Sequence, residues 1–351
     1  MHEWNPGSQR MDTKGRAFVS ADEVARLAGV SRSAVSRTFT DGASISERTR
    51  NKVLRAAETL GYHVNHLARG LSHERSNIVC LVVSDIPTPY QARMLDVTTR
   101  HLQSIGKVGM VINTTGDAES VASAMRQTLN YRADAVVVLS GTPAASLIAS
   151  CVASGQRVIL INRSDHLEGP ANLMVENAQA ARHAYFLLRR AGCERPALIS
   201  STAGTPSLMA REEAFIAAAA DDGIVVDVVR PGPTGYATGA EAARQVFSRS
   251  VVPDGVFCVT DLIALGFMDI ATHSFGLSVP RDLCIIGFDD IEQAGWESYN
   301  LTTFRQPLEE MAEYIVRLLT DDTSADLAGE VRSFQPTPIW RNSVRPRREA
   351  D

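Results

Sequence analysis

No apolar run in this chain approaches the roughly 18 residues that cross a bilayer. Its first 18 residues, MHEWNPGSQRMDTKGRAF, lack the apolar core of a signal peptide and read as a loose tail. The expectation is a cytoplasmic protein with no membrane partner. Cysteine is scarce: five residues (Cys80, Cys151, Cys193, Cys258, Cys284), an odd number with no C-x-x-C pair. Cys80, Cys258 and Cys284 lie inside apolar runs, so small buried hydrophobes are expected, not disulfides or metal ligands. Enzyme signatures are also missing. No G-x-G-x-x-G follows a strand, and there is no Walker loop, no G-x-S-x-G elbow and no H-E-x-x-H among the eight histidines. PGPTG (231–235) is a proline-rich turn, not a phosphate cradle. No catalytic residue, metal or cofactor is expected.

At 351 residues, with 44% hydrophobic and 21% charged side chains, the chain suits a globular protein of about two domains. The net charge of −5 conceals an asymmetry. Residues 1–76 carry 12 Lys and Arg against 8 Asp and Glu, whereas the rest carries 23 against 32. A basic head on an acidic body suits a head that meets an anion such as nucleic acid.

VSADEVARLAGVSRSAVSRTFTDG (19–42) reads as two short helices. The first spans about 21–28: Ser20 caps it, Asp22 and Glu23 suit its positive end, Val24, Leu27 and Ala28 form its apolar stripe, and Gly29 breaks it. Ser31 caps a second helix from Arg32 to about Phe39, with Val35 and Phe39 inward. Asp41-Gly42 closes it. A third helix starts after Ser46, repeats Val53, Ala57 and Leu60, and stops at Gly61. Three short helices with a tight turn between the first two describe a helix-turn-helix unit. The second helix gives its surface to Arg32, Ser33, Ser36 and Arg37, groups that can grip guanine edges and phosphates in a major groove. A small helical domain with a solvated polar face fits the same pattern. YHVNHLARGLSHERS (62–76) follows. Asn65 can cap a segment with Leu67, Ala68 and Leu71 on one side, too short to hold as a helix alone.

From Val19 to Asp85, the pattern DEVARLAGVSRSAVSR…ISERTRNKVLRAAETLGYHVNHLARGL resembles the amino-terminal portion of the LacI/GalR family of bacterial transcription regulators. That resemblance implies positions for roles. Arg32 and Ser33 match the specificity positions opening the recognition helix, Arg37 an arginine that reads a base, and Ser31 and Ser36 phosphate and backbone contacts. Asn65, Ala68 and Leu71 match a hinge helix whose leucine wedges into the minor groove at the operator centre. Val64 stands where the family often has proline, and Ala34 where threonine is common.

In the body, IVCLVVS (78–84), VGMVIN (108–113), AVVVLS (135–140) and RVILIN (157–162) read as buried parallel strands, with helices near 91–105, 118–130 and 143–154. PALISS (196–201), IVVDVV (224–229), GVFCV (255–259) and CIIGFDD (284–290) form a second series. Two such series predict two doubly wound lobes with a ligand cleft beyond the strand ends. Polar residues cluster there: Ser84-Asp85, Ser140, Asn162-Arg163, Thr260-Asp261 and Asp289-Asp290. Capping and turn formation account for many of them; a polar cleft for a small solute accounts for the same set.

The body resembles that family's periplasmic-binding-protein-like ligand domain. Tyr90, Asn162, Arg211, Asp261 and Asp289 match its cleft positions, and Tyr236 supplies an aromatic face. Thr260 departs from the asparagine usual in sugar-binding members. The expected fold class is α/β: an N-terminal helix-turn-helix headpiece (19–62) after a tail (1–18), then a hinge helix and linker (63–76). A two-lobed periplasmic-binding-protein-like doubly wound ligand domain follows (77–343), with an N-lobe of about 77–174 and 308–335 and a C-lobe of about 175–307 and 336–343. A tail (344–351) closes the chain. The resemblance implies a ligand-responsive repressor of the cytoplasm, binding a near-palindromic double-stranded DNA operator as a homodimer. Its small-molecule effector would be a sugar or related polar metabolite. The absence of a leucine-heptad tail favours dimer over tetramer. The competing reading is a solute-binding sensor without specific DNA readout.

Overall fold

The computed structural model describes residues 18–40, 42–63, 76–163, 169–321 and 329–346. The chain divides into two compact units, Met1–Ser76 and Asn77–Asp351. No helix among the described residues is long and apolar enough to cross a membrane.

The first unit contains α1 (Ala21–Ala28), α2 (Arg32–Thr38) and α3 (Glu47–Leu60). Ser20 and Glu23 form a reciprocal capping box at the start of α1, satisfying donors that the first turn leaves open. Gly29 ends the helix at φ 64°, a left-handed conformation that costs glycine little. Ser31 and Ser46 cap α2 and α3, as the sequence predicts. Val24, Ala25, Val35, Val53, Ala56 and Ala57 make the small core. Leu27 departs from expectation. It lies at the edge of the apolar stripe and remains 54% exposed, while Ala25 takes the inner place. Phe39 is half-buried against Tyr62, with ring centroids 5.7 Å apart.

The second unit contains two parallel sheets. In the first, β1 (Ile78–Ser84), β2 (Val108–Thr114), β3 (Ala135–Val138), β4 (Arg157–Ile161), β5 (Ala171–Val175) and β11 (Val331–Phe334) lie in the order β11-β5-β4-β3-β1-β2. Alternate residues of β1 face opposite cores: Val79, Leu81 and Val83 one way, Ile78, Cys80 and Val82 the other. A strand covered on both faces must be apolar throughout, which is why this one is plain in the sequence. Helices α4 (Pro89–Ser104), α5 (Ala118–Asn130), α6 (Ala145–Ala153) and α11 (Leu308–Thr320) accompany this sheet.

The second sheet has β6 (Pro196–Ile199), β7 (Asp227–Val229), β8 (Gly255–Cys258) and β9 (Cys284–Ile286) in the order β7-β6-β8-β9. It carries α7 (Asn177–Arg190), α8 (Pro206–Asp221), α9 (Tyr236–Phe247) and α10 (Asp261–Asp269). An antiparallel pair, β10 (Thr303–Arg305) with β12 (Thr337–Ile339), continues from β9 through bridges at Ile286–Thr302 and Asp289–Arg305. The chain passes between the lobes three times: at Glu176, at Gln306-Pro307 and at Gln335-Pro336. The stretch 224–229 supplies strand only at its last three residues. All five cysteines are buried free thiols.

Candidate functional site

In the first unit the exposed face of α2 presents Arg32, Ser33, Ser36 and Arg37, while Val35 and Thr38 point inward. The Ser31 hydroxyl accepts from the Ala34 N–H at 3.3 Å and lies 2.8 Å from the Ser33 hydroxyl. Arg50 donates to the Thr38 carbonyl at 3.2 Å and fixes α3 against the end of α2. Arg32 Nε is 3.8 Å from Asp22 Oδ1, both well exposed. A pair of that kind is worth about 0–1 kcal/mol and yields readily to a stronger anion. All five predicted contact residues within 18–63 therefore sit on or beside one exposed helix face. Asn65, Ala68 and Leu71 lie outside the described residues, as do Val64, Leu67 and Asp41.

In the second unit a cavity of about 420 Å³ lies between the lobes, where strands of both sheets end. Ser84, Tyr90, Ser140, Asn162, Arg211, Thr260 and Asp289 line it. Three backbone positions there take left-handed φ values without glycine: Asp85 (55°), Asn162 (55°) and Asp289 (125°). Each stands after the end of a strand. Short Asn and Asp side chains tolerate this conformation better than most, and such concentrated strain is characteristic of binding sites.

The first lobe contributes hydroxyls. Ser140 Oγ accepts from the Ser84 N–H at 2.6 Å and lies 3.0 Å from Ser84 Oγ, which closes the β1–β3 end. Asn162 Oδ1 accepts from Val175 N–H at 2.8 Å, so its carbonyl is committed to holding β4 on β5.

The second lobe contributes charge. Arg211 is nearly fully buried. It donates through Nε to Asn177 Oδ1 at 2.8 Å and through Nη1 to the Val259 carbonyl at 2.6 Å, and its guanidinium lies 3.5 Å above the Phe288 ring. Asp289 Oδ1 is 3.8 Å from Nη1. Gln306 joins the lobes at this point. Its Nε2 donates to Asp289 Oδ1 at 2.7 Å, and its Oε1 accepts from the Tyr90 hydroxyl at 3.0 Å. Burial raises the Asp289 pKa above the usual carboxylate value, while Arg211 and Gln306 oppose the shift. Burial, and then Asp289, raises that of Tyr90. The neighbouring Asp290 carboxylate accepts from Arg305 and Arg341, each at 2.6 Å, and this clamp fixes the turn that presents Asp289.

Two predicted positions do not line the cavity. Asp261 is fully buried behind it. Its carboxylate accepts from Thr303 Oγ1 at 2.5 Å and Ile291 N–H at 3.0 Å, binding α10 to the next loop. The side chain of Thr260 caps α10, accepting from Ile263 N–H at 3.4 Å. Helix geometry turns the next residue, Asp261, inward. Tyr236 opens α9, and its hydroxyl donates to Asp269 on α10, away from the cavity. Thr234, two residues earlier, lines the cavity instead. Asp85, Arg163, Ser207 and Gln306 also line it without having been assigned there. Asp85 and Arg163 carried the strand-end signal; Gln306, before Pro307 at a lobe crossing, carried a weaker one.

Comparison with known proteins accords with both units. Residues 21–65 match the profile of bacterial regulatory proteins of the lacI family, and residues 187–344 match that of a periplasmic binding protein-like domain. HTH-type transcriptional regulator GalS of Salmonella typhimurium is 27% identical over 336 residues, 95% of this chain and 98% of its own. HTH-type transcriptional regulator GalR of Escherichia coli is 29% identical over 92% of this chain and 94% of its own. The crystal structure of the lac repressor dimer bound to operator and the anti-inducer ONPF superposes with a TM-score of 0.83. It is 21% identical, covering 94% of this chain and 100% of that one. The chain belongs to the LacI/GalR family of bacterial transcription regulators. It is a DNA-binding transcriptional regulator, from a family of regulators rather than enzymes.

Proposed function

We propose that the protein is a repressor binding a near-palindromic operator as a homodimer, with α2 of each subunit in a major groove. Arg32, Ser33 and Arg37 read base edges, and Ser31 and Ser36 hold phosphates. Residues 63–76 act as linker and hinge, with Asn65 and Ala68 in its helix and Leu71 wedged into the minor groove. A small polar effector occupies the cleft between the N-lobe and the C-lobe, within reach of Ser84, Tyr90, Ser140, Asn162, Arg211, Thr260 and Asp289. No catalytic step is assigned to these residues. The effector controls operator affinity by preferring one placement of the lobes, since coupling requires differential affinity for two states.

The carrying observation is the chain of contacts Tyr90–Gln306–Asp289–Arg211, which runs from one lobe to the other across the cavity. A solute with several hydroxyls, such as a sugar, offers the donors and acceptors to replace those contacts. The single Thr260 hydroxyl, engaged in capping, offers less than an amide would. The exposed Arg32 and Arg37 favour specific readout over a sensor without it. The deciding experiment is selection of bound DNA from a random duplex pool with the full chain, repeated with Leu71→Ala. Enrichment of a palindrome, weakened in the variant, supports the repressor reading. Salt-sensitive binding with no enriched site overturns it in favour of the sensor.

A further inference from the structure

A second concavity lies on the C-lobe and shares no described lining residue with the cavity between the lobes. It is a groove of about 330 Å³ between the end of α7 and the chain that follows β12. Leu187, Ala191 and Val344, all buried, give it an apolar floor. Trp340 lines it too and is 56% exposed. A large aromatic left in water beside apolar and cationic groups is the composition of a binding surface. The guanidinium groups of Arg190, Arg341 and Arg345 complete the lining, and none of the described lining residues is acidic.

These cations are poorly neutralised. Arg190 is exposed, with no hydrogen bond or ion pair among the described residues. Arg345 is held by carbonyls and a thiol instead of a carboxylate: Ala191 O at 3.0 Å, Pro280 O at 2.9 Å and Cys193 Sγ at 3.3 Å. Arg341 donates to the Leu301 carbonyl at 2.8 Å and to Asp290 at 2.6 Å, but that carboxylate also serves Arg305. The positive field reaches His183, whose pKa is lowered by burial and then by Arg190. Two of the three guanidinium groups are thus fixed before any ligand arrives, which reduces the cost of ordering them. Arg345 also covers the Ala191 carbonyl, where the negative end of α7 would otherwise repel an anion.

We propose that this groove binds a small anion carried on a flat ring, an aryl carboxylate or aryl phosphate. The planar guanidinium fork is matched to the oxygens of either anion. The ring lies along the Trp340 indole and over the apolar floor, the arrangement that buries most of the exposed aromatic surface. The volume is that of a small-molecule pocket, not of a face that seats a folded partner. The cavity between the lobes has a different chemistry. It sets Arg163 and Arg211 against Asp85 and Asp289, whereas the groove carries one sign of charge only. Binding in the groove therefore does not depend on what occupies the cleft.

The test titrates the purified full chain with benzoate and with phenyl phosphate at constant ionic strength, read by tryptophan fluorescence and calorimetry. At least one of the two should saturate with a Kd of about 1 mM or tighter, the scale for ligands of this size. Whichever binds more tightly tells carboxylate from phosphate. Benzamide keeps the ring and loses the charge, and should bind about tenfold more weakly or worse. Arg190→Gln should weaken binding of the anion by about tenfold or more, and Trp340→Leu should weaken it and remove most of the fluorescence change. Both side chains are exposed, so neither variant should lose the fold, and matching melting curves verify this. No saturable signal with either anion up to about 20 mM overturns the inference. So does benzamide binding as tightly as the anions, or undiminished binding in Arg190→Gln. Inorganic phosphate binding as tightly as phenyl phosphate would overturn the part given to the ring.

Discussion

Arg211→Met is the sharpest test of the charge arrangement in the cleft. The substitution keeps a long, mostly apolar side chain over Phe288 but removes every donor. Asn177 Oδ1 and the Val259 carbonyl then lose partners, and Asp289 loses its cation. At 3.8 Å, with an effective dielectric constant near 20, the Arg211–Asp289 attraction alone is about 4 kcal/mol. Breaking a buried pair by removing one partner costs about 3–5 kcal/mol, much of it from the stranded charge. For a unit of this size each kcal/mol lowers Tm by about 2–4 °C, so the melt should fall by about 6–20 °C. The double variant Arg211→Met/Asp289→Asn removes both charges of the pair and should regain at least half of the loss. Calorimetry and urea titration of both proteins read this directly, and the cycle isolates the pair. A single-variant cost below about 1 kcal/mol would refute the reasoning. So would a double variant no more stable than the single one.

Other consequences are as definite. Arg37→Ala should weaken binding to the selected site by about 1–3 kcal/mol and relax preference at one base pair, measured by titration against single-base variants; uniform weakening across all sequences would make Arg37 a phosphate contact instead. Gly266→Ala sets a methyl against the Tyr236 carbonyl where α9 crosses α10, and should cost about 1–3 kcal/mol or more in urea titration; a neutral result would mean that the helices separate freely. The Asp261 pKa is pushed up by burial and then by Asp289, so its contribution to stability is full below about pH 4 and drains away as pH rises through the folded-state value. Asp261→Asn should therefore flatten the fall in urea midpoint between pH 4 and pH 8, whatever its effect on absolute stability; parallel curves would sink the assignment. Thr260→Asn should change affinity for any effector found, and unchanged affinity would remove that side chain from the site.

The strands most easily read were those covered on both faces, because burial forces an apolar run. IVCLVVS appears at its observed limits for that reason. VRSF (331–334) and TPI (337–339) were not recognised, since most of their residues are exposed or half-buried and no apolar run marks them. β5 was missed as well, although Ala171, Leu173 and Val175 are buried: the stretch is short, and polar Asn172 breaks the run. In the cleft, polar residues after strand ends proved a sound guide to Ser84, Ser140, Asn162 and Asp289. The guide failed between Thr260 and Asp261, where one residue of helix phase decides which side chain faces the cavity. The aromatic face expected of Tyr236 is turned away because a phenol beside the proline-rich turn carries no mark in the sequence of its partner, Asp269. Gln306 was missed because its importance comes from topology: it stands where the chain changes lobe.

Gln306 has a double position that bears on how such a protein switches. It is part of one of the three passes between the lobes, and both its amide oxygen and its amide nitrogen hold partners at the cavity. In the proposed switch, sensor and pivot are then the same few atoms, as if a latch were cut into a hinge pin. If the proposed effector turns the lobes about these passes, a solute that takes over either bond acts at the axis itself, where a small local displacement is multiplied by the length of the lobe. No relay of packed side chains is then needed to carry the signal outward.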